Sequence, residues 1–180
     1  MALSEMRLIL ASALLILAAA GLGATTLEQL TLDQMIRQST AIVHVKVTSS
    51  SAAMRGRNVY TFYQLQTIET LKGAAASEVA VPGGSTAMIR QEVAGAPVLA
   101  SGSEYVIFLW SGSSALMQVI GLSQGLFKVA EDSSGNPVLV RAALSGVNVV
   151  NQLGQAQTPA AVTITLAALK DEIRKAMGAK

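Results

Sequence analysis

The stretch Val59 to Leu71, VYTFYQLQTIETL, is long and rich in aromatic and β-branched residues, yet its apolar side chains do not keep to one parity. Tyr60 and Phe62 share one face, whereas Tyr63 and Leu65 share the other. Successive side chains of a strand point to opposite faces, so this strand needs cover on both sides or a bulge that exchanges them. A sheet that curls towards a barrel supplies such conditions.

The chain around it supports the same class. AIVHVKV alternates Val43, Val45 and Val47 with His44 and Lys46 and reads as a half-buried strand. TSSSAAMRGRN reads as a loop or hairpin connection, SEVAVPGG as a shorter strand ending in a Pro-Gly-Gly turn, and TAMIRQEV as a further strand. After the loop AGAPVLASGS comes EYVIFLW, a continuous apolar run expected at the centre of the core. A turn at Ser111 to Ser114, then ALMQVIGL and GLFKVAE follow, and VLVRAAL is expected as the last regular strand.

Helical signals sit at the two ends. Thr31 with Gln34 forms a capping-box pattern before Leu32, Met35 and Ile36, and Leu30 can staple onto Met35. Near the C-terminus Leu166, Leu169, Ile173, Ala176 and Met177 recur at helical period, with Thr165 as cap and Asp171 and Lys175 as an i,i+4 pair. Before all of this, Leu8 to Ala20 is an uninterrupted apolar run behind a short polar start with Arg7, followed by Gly21, Gly23 and Ala24. That layout is a secretory signal peptide cleaved after Ala20 or Ala24, and the run is short for a membrane span. The expected organisation is a leader at 1–24, a helical segment at 25–38, a β-domain at 39–144, a polar loop at 145–162 and an amphipathic helix at 163–180.

Cleavage would leave about 155 residues, enough for one core. The chain has no cysteine, so an exported fold must rely on packing and hydrogen bonds, without disulfides or thiolate metal sites. A net charge of +2 from scattered basic residues indicates no particular partner.

Gly121-Leu122-Ser123-Gln124-Gly125 matches the G-x-S-x-G pattern of a serine-hydrolase elbow. The elbow requires a helix after the serine and a later histidine. Here LFKVAE follows with no helical stripe, and the sole histidine, His44, comes earlier. The glycines are therefore read as permitting a bulge or tight connection between strands, with a Ser123/His44 hydrolase as the alternative. His44 shares a parity with Lys46 and is expected to be solvated, and Glu69, Glu78, Glu92 and Glu104 read as surface charge. Arg55 and Arg57 beside Tyr60 and Phe62 offer the other alternative, an oligonucleotide-binding face. Weak charge and export favour instead a basic hairpin tip beside core aromatics. No catalytic residue, cofactor or metal site is expected.

The pieces LDQMIRQSTAIVHVKV, the long strand closed by Leu71-Lys72-Gly73, VAVPGG, Gly95-Ala96-Pro97 and QVIGLSQGLFKV together resemble a family of functionally uncharacterised bacterial exported proteins. In that family the Gly-x-Ser-Gln-Gly piece recurs without a hydrolase assignment. The strand order and the Lys-Gly after the long strand are also similar, distantly, to the netrin-like, OB-type barrel of tissue metalloproteinase inhibitors. Those inhibitors chelate a protease metal through an N-terminal cysteine that this chain lacks, so the likeness carries no inhibitory residue here. The resulting expectation is a mainly β, antiparallel OB-like or netrin-like barrel, with a β-sandwich as the alternative. Its expected role is an exported, non-catalytic binding module whose ligand the sequence does not identify, with an extracytoplasmic protein as the candidate partner.

Overall fold

The computed structural model describes residues 25–112 and 115–178; the expected leader at 1–24, Ser113 and Ser114 of the expected turn and the last two residues lie outside the described residues. In chain order the elements are β1 (Thr26–Glu28), α1 (Leu32–Gln38), β2 (Ala41–Arg55), β3 (Asn58–Lys72), β4 (Glu78–Pro82), β5 (Gly84–Ser85) and β6 (Arg90–Gln91). Then come β7 (Glu104–Ser111), β8 (Met117–Val119), β9 (Leu126–Glu131), β10 (Pro137–Arg141), β11 (Asn148–Val150), β12 (Ala156–Gln157), β13 (Val162–Thr165) and α2 (Leu166–Gly178). None of the described helices is long and apolar enough to cross a membrane.

The protein is mainly β. An eight-stranded antiparallel sheet runs β13, β10, β9, β7, β2, β3, β4, with β8 also paired to β7. β1, β11 and β12 form a small sheet in which β1 and β11 are parallel, and β5 pairs with β6. The long hairpin of β2 and β3 carries register shifts between Ile42 and Val43, His44 and Val45, and Val47 and Ser49. Each extra residue sharpens local twist, and the sheet curls until β4 comes within 8 Å of β8 without pairing to it. The expected closed barrel is thus not formed among the described residues.

Curling gives the sheet two differently covered faces. Val43, Val45, Val47, Tyr63, Leu65, Val79, Val81, Tyr105, Ile107 and Leu109 pack together on the concave side. Ile42, Val106, Phe108, Phe127 and Leu139 pack on the other side against Met35 and Ile36 of α1 and Leu169 and Ile173 of α2. β7 sits between the two clusters, and Tyr105 to Leu109 are each at most 4% exposed, as the EYVIFLW run leads one to expect. Phe108 and Phe127 meet in a tilted pair 5.6 Å apart, a geometry that adds about 0.5–1.5 kcal/mol beyond area burial.

The capping box of α1 is present: Thr31 Oγ1 accepts from the Gln34 amide at 3.2 Å, and Gln34 Oε1 accepts from the Thr31 amide at 2.8 Å. Four expectations need correction. Residues 25–38 begin as a strand, because Thr26 to Glu28 pair with β11. The Ser-rich stretch after Thr48 continues β2 as far as Arg55, since cross-strand pairing to Asn58 through Gln64 outweighs the weak β-propensity of Ser and Ala. The segment 145–162 contains β11 and β12 and the start of β13, so VLVRAAL is not the last strand and α2 begins only at Leu166. In α2 the acidic pairs are Asp171 with Arg174 and Glu172 with Lys175, one residue closer than the predicted i,i+4 partner.

Candidate functional site: the strap-divided concave face

The Gly121 to Gly125 stretch interrupts the chain that runs along one edge of β7. β8 and β9 pair with successive parts of that edge, and both ends of the interruption bond to one residue. The Ile120 amide donates to the Phe108 carbonyl at 2.9 Å, and the Phe108 amide donates to the Gly125 carbonyl at 2.8 Å. The Gly125 amide closes the neck on the Ile120 carbonyl at 3.0 Å. What loops out is therefore a bulge within a strand path, as the glycines suggested. Gly121 has φ +59° and Leu122 φ +59°, the left-handed region that glycine enters without a Cβ penalty. Gly125 is required by space: a Cβ there would lie 2.6 Å from Ile120 Cγ2 and 3.0 Å from the Phe108 Cβ.

Gln124 gives the bulge a structural task that sequence reasoning missed. Its side chain is 2% exposed. The amide oxygen accepts the Leu30 N–H at 2.8 Å, and the amide nitrogen donates to the Glu28 carbonyl at 2.9 Å. One side chain thus satisfies two backbone groups of the segment joining β1 to α1. Arg141 Nη1 donates to the Gln124 carbonyl at 3.3 Å while its guanidinium lies 5.6 Å over the Phe127 ring, and burial lowers its pKa.

Ser123 and His44 lie on opposite faces of the sheet. Ser123 lines a concave-side cleft with Tyr105 and Leu126. His44 stands between Val43 and Val45, which both face the concave core, so strand alternation points it to the helix-covered side. There it is 9% exposed, not solvated as expected, and its Nε2 is 3.2 Å from Glu104 Oε2. The helices that cover this face are not visible in the alternation of AIVHVKV. The glutamates do not converge: Glu69 pairs with Lys170 at 2.7 Å, Glu78 accepts from Gln64 at 2.6 Å, and Glu92 pairs with Arg90 at 2.6 Å. Among the described residues no group of His, Cys, Asp and Glu is placed to hold a metal ion.

At the β2–β3 hairpin, the Arg55 guanidinium lies 5.3 Å over the Phe62 ring, which is 5% exposed and 6.4 Å from Tyr60. The Phe62 face that a nucleobase would stack on is occupied by Arg55, and Arg57 is exposed nearby at the turn.

The accessible chemistry lies on the concave face, which the segment Ala94 to Ala100 crosses as a strap. Leu99 is buried in the concave core and Ala96 packs against it. The Ala100 amide donates to the Tyr105 hydroxyl at 3.0 Å. Between these anchors Val98 is held outward, 84% exposed. On one side of the strap is a cleft of about 750 Å³, bounded by Tyr63, Val81, Gly83, Gly84, Arg90 and Glu92. On the other is a cleft of about 680 Å³, bounded by Tyr105, Ser123, Leu126, Lys128 and Val140. The sequence marked AGAPVLASGS only as a loop; Pro97 and Leu99 within it are the apolar signal that it packs onto the sheet. No protein-family model matches the chain, and no curated protein matches it.

Proposed function

We propose that this chain is an exported, non-catalytic binding module of the cell envelope or extracellular space, which holds its partner on the strap-divided concave face. The observation that carries this reading is Val98, an apolar side chain 84% exposed on an anchored strap between two open clefts. Pockets of a few hundred cubic ångströms with apolar walls and a few polar groups are the ordinary form of recognition sites. Export is supported by the run Leu8 to Ala20 and the small residues behind it. The curl of β8, β7, β2, β3 and β4 supports reading the architecture as an unsealed relative of the OB-type, netrin-like barrel, within the exported bacterial family that the sequence resembles.

The test is affinity capture from the envelope fraction and culture supernatant with the mature domain and with its Val98→Asp variant. A substitution at so exposed a position leaves stability within about 0.5 kcal/mol. The reading predicts a component retained by the unmodified domain and lost from the variant. Identical retention by both would refute the assignment of the concave face.

A further inference from the structure

We propose that the cleft between the strap and β9 binds a small amphiphilic monocarboxylate, its anionic head at Lys128 and its apolar body along the strap; this rests on the binding reading above. Tyr105, Lys128 and Val140 form a cross-strand row on the concave side of β7, β9 and β10, and all three line the cleft of about 680 Å³. Lys128 is the charge there. Among the described residues it has no ion-pair partner, whereas Lys170 and Lys175 each hold a glutamate at 2.7 Å. The Tyr105 hydroxyl accepts the Ala100 amide, which leaves its own proton available to a ligand oxygen. Ser123 and Ser145 also line the cleft, and a serine hydroxyl can donate to an anion.

The remaining wall sets the other half of the ligand. Ala96, Pro97, Val98, Leu126, Ala130 and Ala142 contribute it, and none of these side chains carries a polar atom. One uncompensated cation with hydroxyl donors at an otherwise apolar wall selects an oxyanion attached to a hydrocarbon. A carboxylate gains charge-assisted hydrogen bonds there that an alcohol of the same length does not. Ser123, the middle residue of the G-x-S-x-G match, then has a place as a hydrogen-bond donor without being a nucleophile.

The experiment is a titration of the ¹⁵N-labelled mature domain with octanoate and, separately, with 1-octanol, followed by amide shifts. Octanoate is expected to move the amides of Ala96, Val98 to Ala100, Ser123 to Lys128 and Val140 to Ala142, and to bind at least roughly tenfold more tightly than the alcohol. Lys128→Met should weaken octanoate by about the same factor and leave octanol unchanged, with Lys128→Arg restoring octanoate. Lys46→Met, an exposed lysine on the opposite face, should leave both unchanged. Equal binding of acid and alcohol, equal loss in the Lys46 and Lys128 variants, or octanoate leaving the cleft amides unmoved would overturn the proposal. If octanoate fails while Val98→Asp still releases the captured component, the ligand class falls and the binding reading stands. If octanoate binds as described while capture is indifferent to Val98→Asp, the cleft assignment stands and the reading at Val98 falls.

Discussion

Replacing Gln124 by leucine keeps close to the volume of a side chain that is 2% exposed, but removes an amide that serves two backbone groups. The Leu30 N–H loses an acceptor at 2.8 Å and the Glu28 carbonyl loses a donor at 2.9 Å. An orphaned buried donor or acceptor costs about 1–3 kcal/mol. Both bonds are only partly buried, so water recovers some of that loss, and the added apolar contact of leucine offsets up to about 1 kcal/mol more. The expected net destabilisation is about 2 kcal/mol, or a fall in Tm of roughly 4–8 °C for a domain of this size. The loss should be local as well as global. Hydrogen exchange at Leu30 and across the pairing of β1 with β11 should accelerate more than exchange in β7. Ser123→Ala, one residue away, should change stability by less than about 0.5 kcal/mol. Urea denaturation with amide exchange read by NMR measures all of these. A Gln124→Leu protein within about 0.5 kcal/mol of the unmodified one, with Leu30 protection unchanged, would refute the claim that the bulge holds the N-terminal segment in place.

Lys72 Nζ donates to the carbonyls of Ile36, Arg37 and Ser39 at 2.5, 3.1 and 2.6 Å, closing the C-terminal end of α1. Lys72→Met should cost about 1–2 kcal/mol in urea denaturation, and a neutral result would remove that role. At Gly73, φ is +70° and a Cβ would lie 2.3 Å from the Thr40 carbonyl oxygen. Gly73→Ala should therefore lose more than about 2 kcal/mol in the same assay, and an unchanged midpoint would contradict the close approach. The Asp132 pKa is lowered from 3.8 by hydrogen bonds from the backbone of Asn136, then Ser134. A carboxylate with a depressed folded pKa stabilises above its unfolded value and loses that contribution as pH falls through the folded one. The Ser134 and Asn136 amide resonances should thus stay constant above about pH 5 and shift together only at acid pH below the ordinary aspartate range. Movement near neutrality would count against this turn.

The sequence made the strand class legible because hydrophobic pattern is local, and the mixed parity of Tyr60 to Leu65 is met by cover on both faces, with Tyr63 and Leu65 in the concave core and Phe62 buried on the other side. The caps of both helices were legible for the same reason: Thr31 and Thr165 each accept from the first turn of their helix. Long-range placement was not. Whether His44 meets water depends on α2, which lies more than a hundred residues later and carries the Lys170 that bonds Glu69, the cross-strand neighbour of His44. The pairing of β1 with β11 depends on Thr26 to Glu28 meeting Asn148 to Val150 in parallel, and neither three-residue segment shows a period of its own. The burial of Gln124 was not legible either, because it follows from the N-terminal chain that bonds to it at Glu28 and Leu30. Within the concave face, Lys128 and Tyr105 come together only through the register of β7 and β9, so the cleft could not be read from spacing.

Labelling with a fluorophosphonate probe, followed by peptide mass spectrometry, tests most directly whether Ser123 serves architecture and binding or chemistry. With Ser123 on the concave side and His44 turned towards the helices, the protein should carry no adduct at Ser123. Stoichiometric labelling that disappears on Ser123→Ala and on His44→Ala would contradict the account.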